Sequence, residues 1–122
     1  MSENCIFCKI VANELPSKKV YEDDDLLAFL DISPLAPVHI LVIPKHHIVS
    51  LQDVTDSDQP WLGKMMALVP KLAAENGCEP GPDGGFRIVV NSGQHGGQEV
   101  DHLHLHILGG PRPWSGRASL TA

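Results

Sequence analysis

Apolar and polar residues change period several times along the chain, and each change marks an element. Ile6, Phe7, Ile10 and Val11 recur at helical spacing, so residues 5–12 are expected as a short helix capped by Ser2 or Asn4. Lys19–Glu22 and Leu26–Leu30 flank Asp23-Asp24-Asp25, the layout of a hairpin. An irregular link through Asp31, Ser33, Pro34 and Pro37 leads into a β-branched strand at 39–43, stopped by Pro44. Leu62, Met65, Met66, Val69, Leu72 and Ala73 recur three and four residues apart, which predicts a long amphipathic helix over 57–76. Asp56 or Ser57 can cap it, Pro60 suits its first turn and Gly77 its end. Pro70 inside it costs about 3 kcal/mol and predicts a kink or a shorter helix. Beyond a Pro/Gly loop at 79–85, a strand is expected at 86–91, with Phe86, Ile88 and Val90 on one face. A polar, glycine-rich stretch at 92–97 precedes the last strand at 102–108. Residues 111–122, with Trp114, carry no periodicity and read as a tail after a domain of residues 1–110. Strands and helices do not alternate as βαβ units, so the expected class is α+β with an antiparallel sheet.

At 122 residues the chain fits one domain. Its 43% hydrophobic and 20% charged residues lie in the globular range. No apolar run approaches the roughly 20 residues that span a bilayer, so no membrane partner is expected. The first ten residues lack the basic and apolar regions of a secretory signal. A net charge of −6 disfavours broad contact with nucleic acid. A local phosphate site survives that argument, because backbone N–H groups can form it. Three unevenly placed cysteines argue against a disulfide scaffold and for a reducing compartment, the cytoplasm.

The informative stretch is His102-Leu103-His104-Leu105-His106-Ile107-Leu108. Strand alternation turns Leu103, Leu105 and Ile107 to one face and the three histidines to the other. Three imidazolium ions so close would repel, so at least one ring is expected neutral and nucleophilic at pH 7. The alternatives are a polar solvent face, a metal cluster, or nucleophilic catalysis. The glycines of 93–97 just upstream favour a phosphate site, since they let the backbone approach an anion closely. Cys5-x-x-Cys8 has the gap at which two thiolates share one metal, with histidines as the remaining ligands. Buried thiols and a redox pair are the alternatives; the redox reading is the weaker, because no thioredoxin-like strand precedes the pair.

His-Leu-His-Leu-His-Ile-Leu resembles the signature of the histidine triad (HIT) family. Gly-Gly-Gln-Glu-Val before it, Leu-Gly-Gly after it, Asp31-Ile-Ser-Pro and His39-Ile-Leu-Val-Ile-Pro-Lys resemble its nucleoside-phosphoramidase (HINT) branch. The resemblance covers roughly residues 5–110. It implies an antiparallel sheet of about five strands, one long helix, a short N-terminal helix, and a two-fold homodimer with a continuous sheet. It also implies cleavage of purine nucleoside 5′-phosphoramidates at the α-phosphorus. His104 would be the nucleophile of a covalent nucleotidyl-histidine, one ring nitrogen free and the other N–H held by a carbonyl. His106 would contact phosphate oxygens and leaving group, with His102 as its triad partner. Asn91 and backbone N–H groups around Gly97, Gln98 and Glu99 would stabilise charge on the phosphoryl oxygens. Asp31 would accept from the ribose hydroxyls. Ile6, Phe7, Ile10, Phe29 and Ile32 would form an apolar slot for the base, each with plain core as its alternative.

Bacterial members with this Cys-x-x-Cys form resemble one another in a zinc site that maps to Cys5, Cys8, His47 and His102. Two thiolates and two imidazoles close a tetrahedral shell, so the implied zinc is structural. No organic cofactor is implied. Cys78 reads as a partnerless loop thiol, His46 as solvated, His39 as supporting or structural, and His95 as a loop residue.

Two departures bear on substrate. Glu99 stands where animal HINT proteins carry a serine against the leaving group, and Leu30 replaces a polar residue found beside the aspartate in some members. The competing branch, dinucleoside polyphosphate hydrolases, carries glutamine two residues before the first triad histidine, where this chain has Val100. A non-catalytic nucleotide- or partner-binding scaffold is the reading from outside enzymology. A metal-handling protein is the fourth, and it leaves Asp31 and the apolar slot without a purpose.

Overall fold

The structure, a computed structural model, describes residues 4–110. The tail at 111–122 and Ser2 lie outside the described residues. Five antiparallel strands form one sheet in the order β1-β2-β3-β5-β4. They are β1 (Lys19–Glu22), β2 (Leu26–Leu30), β3 (Val38–Pro44), β4 (Phe86–Val89) and β5 (Leu105–Gly109). The helices are α1 (Ile6–Val11) and α2 (Gln59–Glu75).

Each sheet face is covered by one helix. Leu26, Ala28, Ile40, Val42, Leu105 and Ile107 meet Met65, Leu68, Val69, Leu72 and Ala73 of α2. Leu27, Phe29, Leu41 and Ile43 turn the other way and pack with Phe7, Ile10 and Val11. This double cover is why β2 and β3 read as nearly unbroken apolar runs rather than alternating ones.

α2 runs unbroken through Pro70, so the shortened helix allowed above is ruled out. Its start differs from expectation. A single 3-10 turn at Asp56–Asp58 precedes it, and the capping box joins Thr55 to Asp58 rather than using Asp56 or Ser57. Gly77 closes it with φ of 101°. The Cys78 N–H then bonds the Ala73 carbonyl at 2.8 Å and the Gly77 N–H bonds Ala74 at 3.3 Å, a Schellman ending. This turn buries Cys78, which the sequence placed in a loop, against Gly109 of β5. α1 is capped by Cys5, whose sulfur accepts the Cys8 N–H at 3.3 Å, in place of Ser2 or Asn4.

β5 begins at Leu105, three residues later than expected. Val42 faces Leu105, so the same register would set Leu103 against Pro44, which has no N–H for the ladder. The chain turns aside there instead: Leu103 N–H bonds the Ile48 carbonyl at 2.8 Å. β4 is likewise shorter than expected and stops at Val89. No helix among the described residues is long and apolar enough to cross a membrane.

Candidate active site

His106, on β5, faces Leu41 of β3, so it lies on the sheet side covered by α1. His104 and His102 precede the strand and are buried. The rings of His104 and His106 are 4.9 Å apart, centroid to centroid. His104 Nδ1 lies 2.7 Å from the His102 carbonyl oxygen. A carbonyl only accepts, so Nδ1 carries the proton and Nε2 keeps its lone pair. Phe7 packs edge-on against this ring at 5.1 Å and against Phe29 at 5.6 Å, which fixes the imidazole plane.

His106 is held by His39, read from the sequence as supporting or structural but without a named partner. His39 lies diagonal to it on β3, with Nε2 2.9 Å from His106 Nδ1. The Leu35 N–H donates to His39 Nδ1 at 3.0 Å, so the His39 proton is on Nε2 and donates to His106. His106 must then carry its own proton on Nε2. Asp31 Oδ2 sits 3.4 Å from the same His39 Nε2. Burial pushes the His39 imidazole below its ordinary value, against the pull of Asp31. Burial, with repulsion from His104 and His39, pushes His106 down to about 4. Both rings are therefore neutral at pH 7. The sequence signal that could have found His39 is its alternation with Leu41 and Ile43 on a strand next to the triad strand.

Asp31 also accepts the Ser33 N–H at 2.7 Å, an Asx turn, so its turn role is real. It borders a cavity of about 400 Å³ walled by Ile6, Phe7, Ile10, Phe29 and Ile32. That volume suits a small organic ligand. Ile32, 95% exposed, is the least covered wall.

The upstream loop is built on positive φ at Gly93 (74°) and Gly97 (82°). Gln98 uses its amide on the protein: Oε1 accepts from the Gly93 N–H at 2.9 Å, and Nε2 donates to Val49 and Val100 carbonyls. It shapes the loop. Asn91 lies under Gly96, at the start of this loop. Glu99 opens instead on a second cavity, of about 440 Å³, shared with Asn4, His47 and Asp101.

Cys5, Cys8, His47 and His102 converge, their ligand atoms all within 4.8 Å of one another. Cys5 Sγ is 3.3 Å from His102 Nδ1, and Cys8 Sγ is 3.2 Å from His47 Nδ1. Metal–sulfur and metal–nitrogen bonds of tetrahedral zinc set such atoms about 3.5 Å apart. His102 Nε2 donates to the Pro44 carbonyl at 2.9 Å, leaving Nδ1 as the ligand atom. Burial pushes the His102 imidazole down to about 4, the Pro44 hydrogen bond working against it. A neutral ring is the form that ligates. These four residues can hold a metal ion.

The family described as scavenger mRNA decapping enzyme C-term binding matches residues 4–120. HitA of Neisseria gonorrhoeae is 50% identical over 109 residues, covering 89% of this chain and 98% of that protein. The chain belongs to the histidine triad family. The Escherichia coli K12 protein named purine nucleoside phosphoramidase is 46% identical over 110 residues, 90% of each chain. A HIT family hydrolase from Legionella pneumophila superposes with a TM-score of 0.83 at 47% identity, over 89% of this chain and 95% of that one. A histidine triad protein from Clostridium difficile gives 0.82 at 49% identity, over 90% and 93%. Membership of this family, with its hydrolase relatives, makes the chain an enzyme. In this chain His39 joins the cluster through its contact with His106, whose ring in turn lies against His104.

Proposed function

We propose that this protein hydrolyses purine nucleoside 5′-phosphoramidates at the α-phosphorus, releasing a nucleoside monophosphate and an amine. The observation that carries the reading is the state of His104, with Nδ1 bound to a carbonyl and Nε2 lone-paired. The similarity to the E. coli phosphoramidase supports it. His104 Nε2 attacks phosphorus, and the P–N bond breaks with its electron pair leaving on nitrogen. The departing nitrogen takes a proton from solvent and leaves as the neutral amine, while the His106 Nε2–H hydrogen-bonds the reacting phosphoryl group and orients the leaving nitrogen. Water then attacks the nucleotidyl-histidine, the N–P pair returns to His104, and the water proton goes back to solvent.

Ribose is read onto Asp31 and the base into the apolar cavity. Asn91 and the N–H groups of Gly97 and Glu99 are read onto the phosphoryl oxygens. Zinc is the metal that best fits two thiolates and two imidazoles. It would tie α1 to the triad segment and orient His102. The open edge of β4 is where a second copy would extend the sheet into a homodimer.

The test is intact-protein mass after brief mixing with adenosine 5′-phosphoramidate, with AMP release followed in parallel. A transient adenylate adduct is expected, and His104→Ala should lose both adduct and AMP release by at least about 10³-fold. A folded wild type that forms neither adduct nor AMP overturns the proposal.

A further inference from the structure

Two polar side chains border the apolar cavity, Asp31 and Ser17. The Asp31 oxygens already have Ser33 and His39 as neighbours. The Ser17 hydroxyl oxygen is buried and has no hydrogen-bond partner among the described residues. A buried polar atom left unpaired is costly, and natural proteins seldom keep one without a use. Serine pays little entropy to turn its hydroxyl about χ1 between staggered positions.

Register narrows what this hydroxyl can meet. Lys19 faces Phe29, and the Leu30 N–H bonds the Lys18 carbonyl at 3.0 Å. Continued one residue past the Lys18–Leu30 bond, this register sets Ser17 across from Asp31, and both residues line the cavity. The unused hydroxyl thus shares a cavity wall with the carboxylate read as the sugar site, with Leu15 and Pro16 adding apolar wall. The purine acceptor nearest the sugar is N3, and adenine and guanine share it. A hydroxyl can donate to it.

We infer that Ser17 is a specificity-determining residue, its hydroxyl donating to N3 of a purine base seated in the apolar cavity. The inference rests on the nucleotide reading of that cavity. It adds one directional contact to a slot whose other walls grip the base only through apolar surface. A purine is recognised by that contact while adenine and guanine are left undistinguished.

The experiment measures binding of AMP, 3-deaza-AMP, 7-deaza-AMP and 2′-deoxy-AMP to wild type and Ser17→Ala by calorimetry. Melting of each ligand-free protein is recorded alongside. Wild type should bind AMP about tenfold tighter than 3-deaza-AMP, with 7-deaza-AMP close to AMP. Ser17→Ala should bind AMP and 3-deaza-AMP equally, at the weaker value. Its ligand-free melting temperature should equal or exceed that of wild type, since an unpaired hydroxyl is removed. Equal AMP affinity in the two proteins overturns the inference and leaves the slot standing. So does a Ser17-dependent loss that follows the 2′-deoxy analogue instead of the 3-deaza one. Lower ligand-free stability with unchanged affinity assigns the hydroxyl a structural role and also overturns it. No AMP binding by folded wild type removes the nucleotide reading together with this inference.

Discussion

His39→Phe keeps a ring on β3 and removes both nitrogens that hold His106 in one tautomer. With the His106 proton no longer fixed on Nε2, kcat for the phosphoramidate should fall about 10²-fold while AMP affinity changes far less. Steady-state kinetics alongside calorimetry separates the two. The same variant carries a pH signature. His39 and His106 both titrate below the ordinary imidazole value when folded, so the unfolded chain binds more protons between pH about 6.5 and 4. Stability therefore rises with pH across that window and is lost as pH falls through it. Urea unfolding at stepped pH should show this slope, shallower in His39→Phe; an unchanged slope would contradict the burial of neutral rings. The triad and the Cys-x-x-Cys pair were legible because their spacing is local. The task of His39 was not, since its partner is 67 residues away and nothing in a single strand names it.

At the scale of elements, α2, β2 and β3 were readable because periodicity and runs of apolar residues are properties of one segment. The start of β5 was not, because Pro44 on a neighbouring strand decides it. The junction between α2 and β5 depends on a glycine for the same nonlocal reason. A β-carbon on Gly109 would overlap the Cys78 sulfur, which the Schellman turn presses into the sheet. Gly109→Ala should destabilise by about 1–3 kcal/mol in chemical denaturation. Cys78→Ala should recover most of that loss in the double variant, the signature of a direct steric coupling. Additive effects would place the strain elsewhere.

Across the whole molecule, the cysteine–histidine cluster joins α1, the segment after β3 and the segment before β5. Three stretches distant in sequence are then tied at one point on the α1 side of the sheet. Elemental analysis should find one zinc per chain, and Cys8→Ser should lose it. Removal by a strong chelator should lower the melting temperature by more than about 10 °C. Full stability in the stripped protein would reduce the cluster to packing. On the opposite side of the sheet, Cys78 lies sealed beneath the end of α2 at 3% exposure. Its thiol meets solvent when the helix end, or the 79–85 loop that borders the same cavity as Cys78, moves away from β5. Sulfhydryl labelling there is therefore a clock for breathing of the fold, running independently of the metal thiols on the far face.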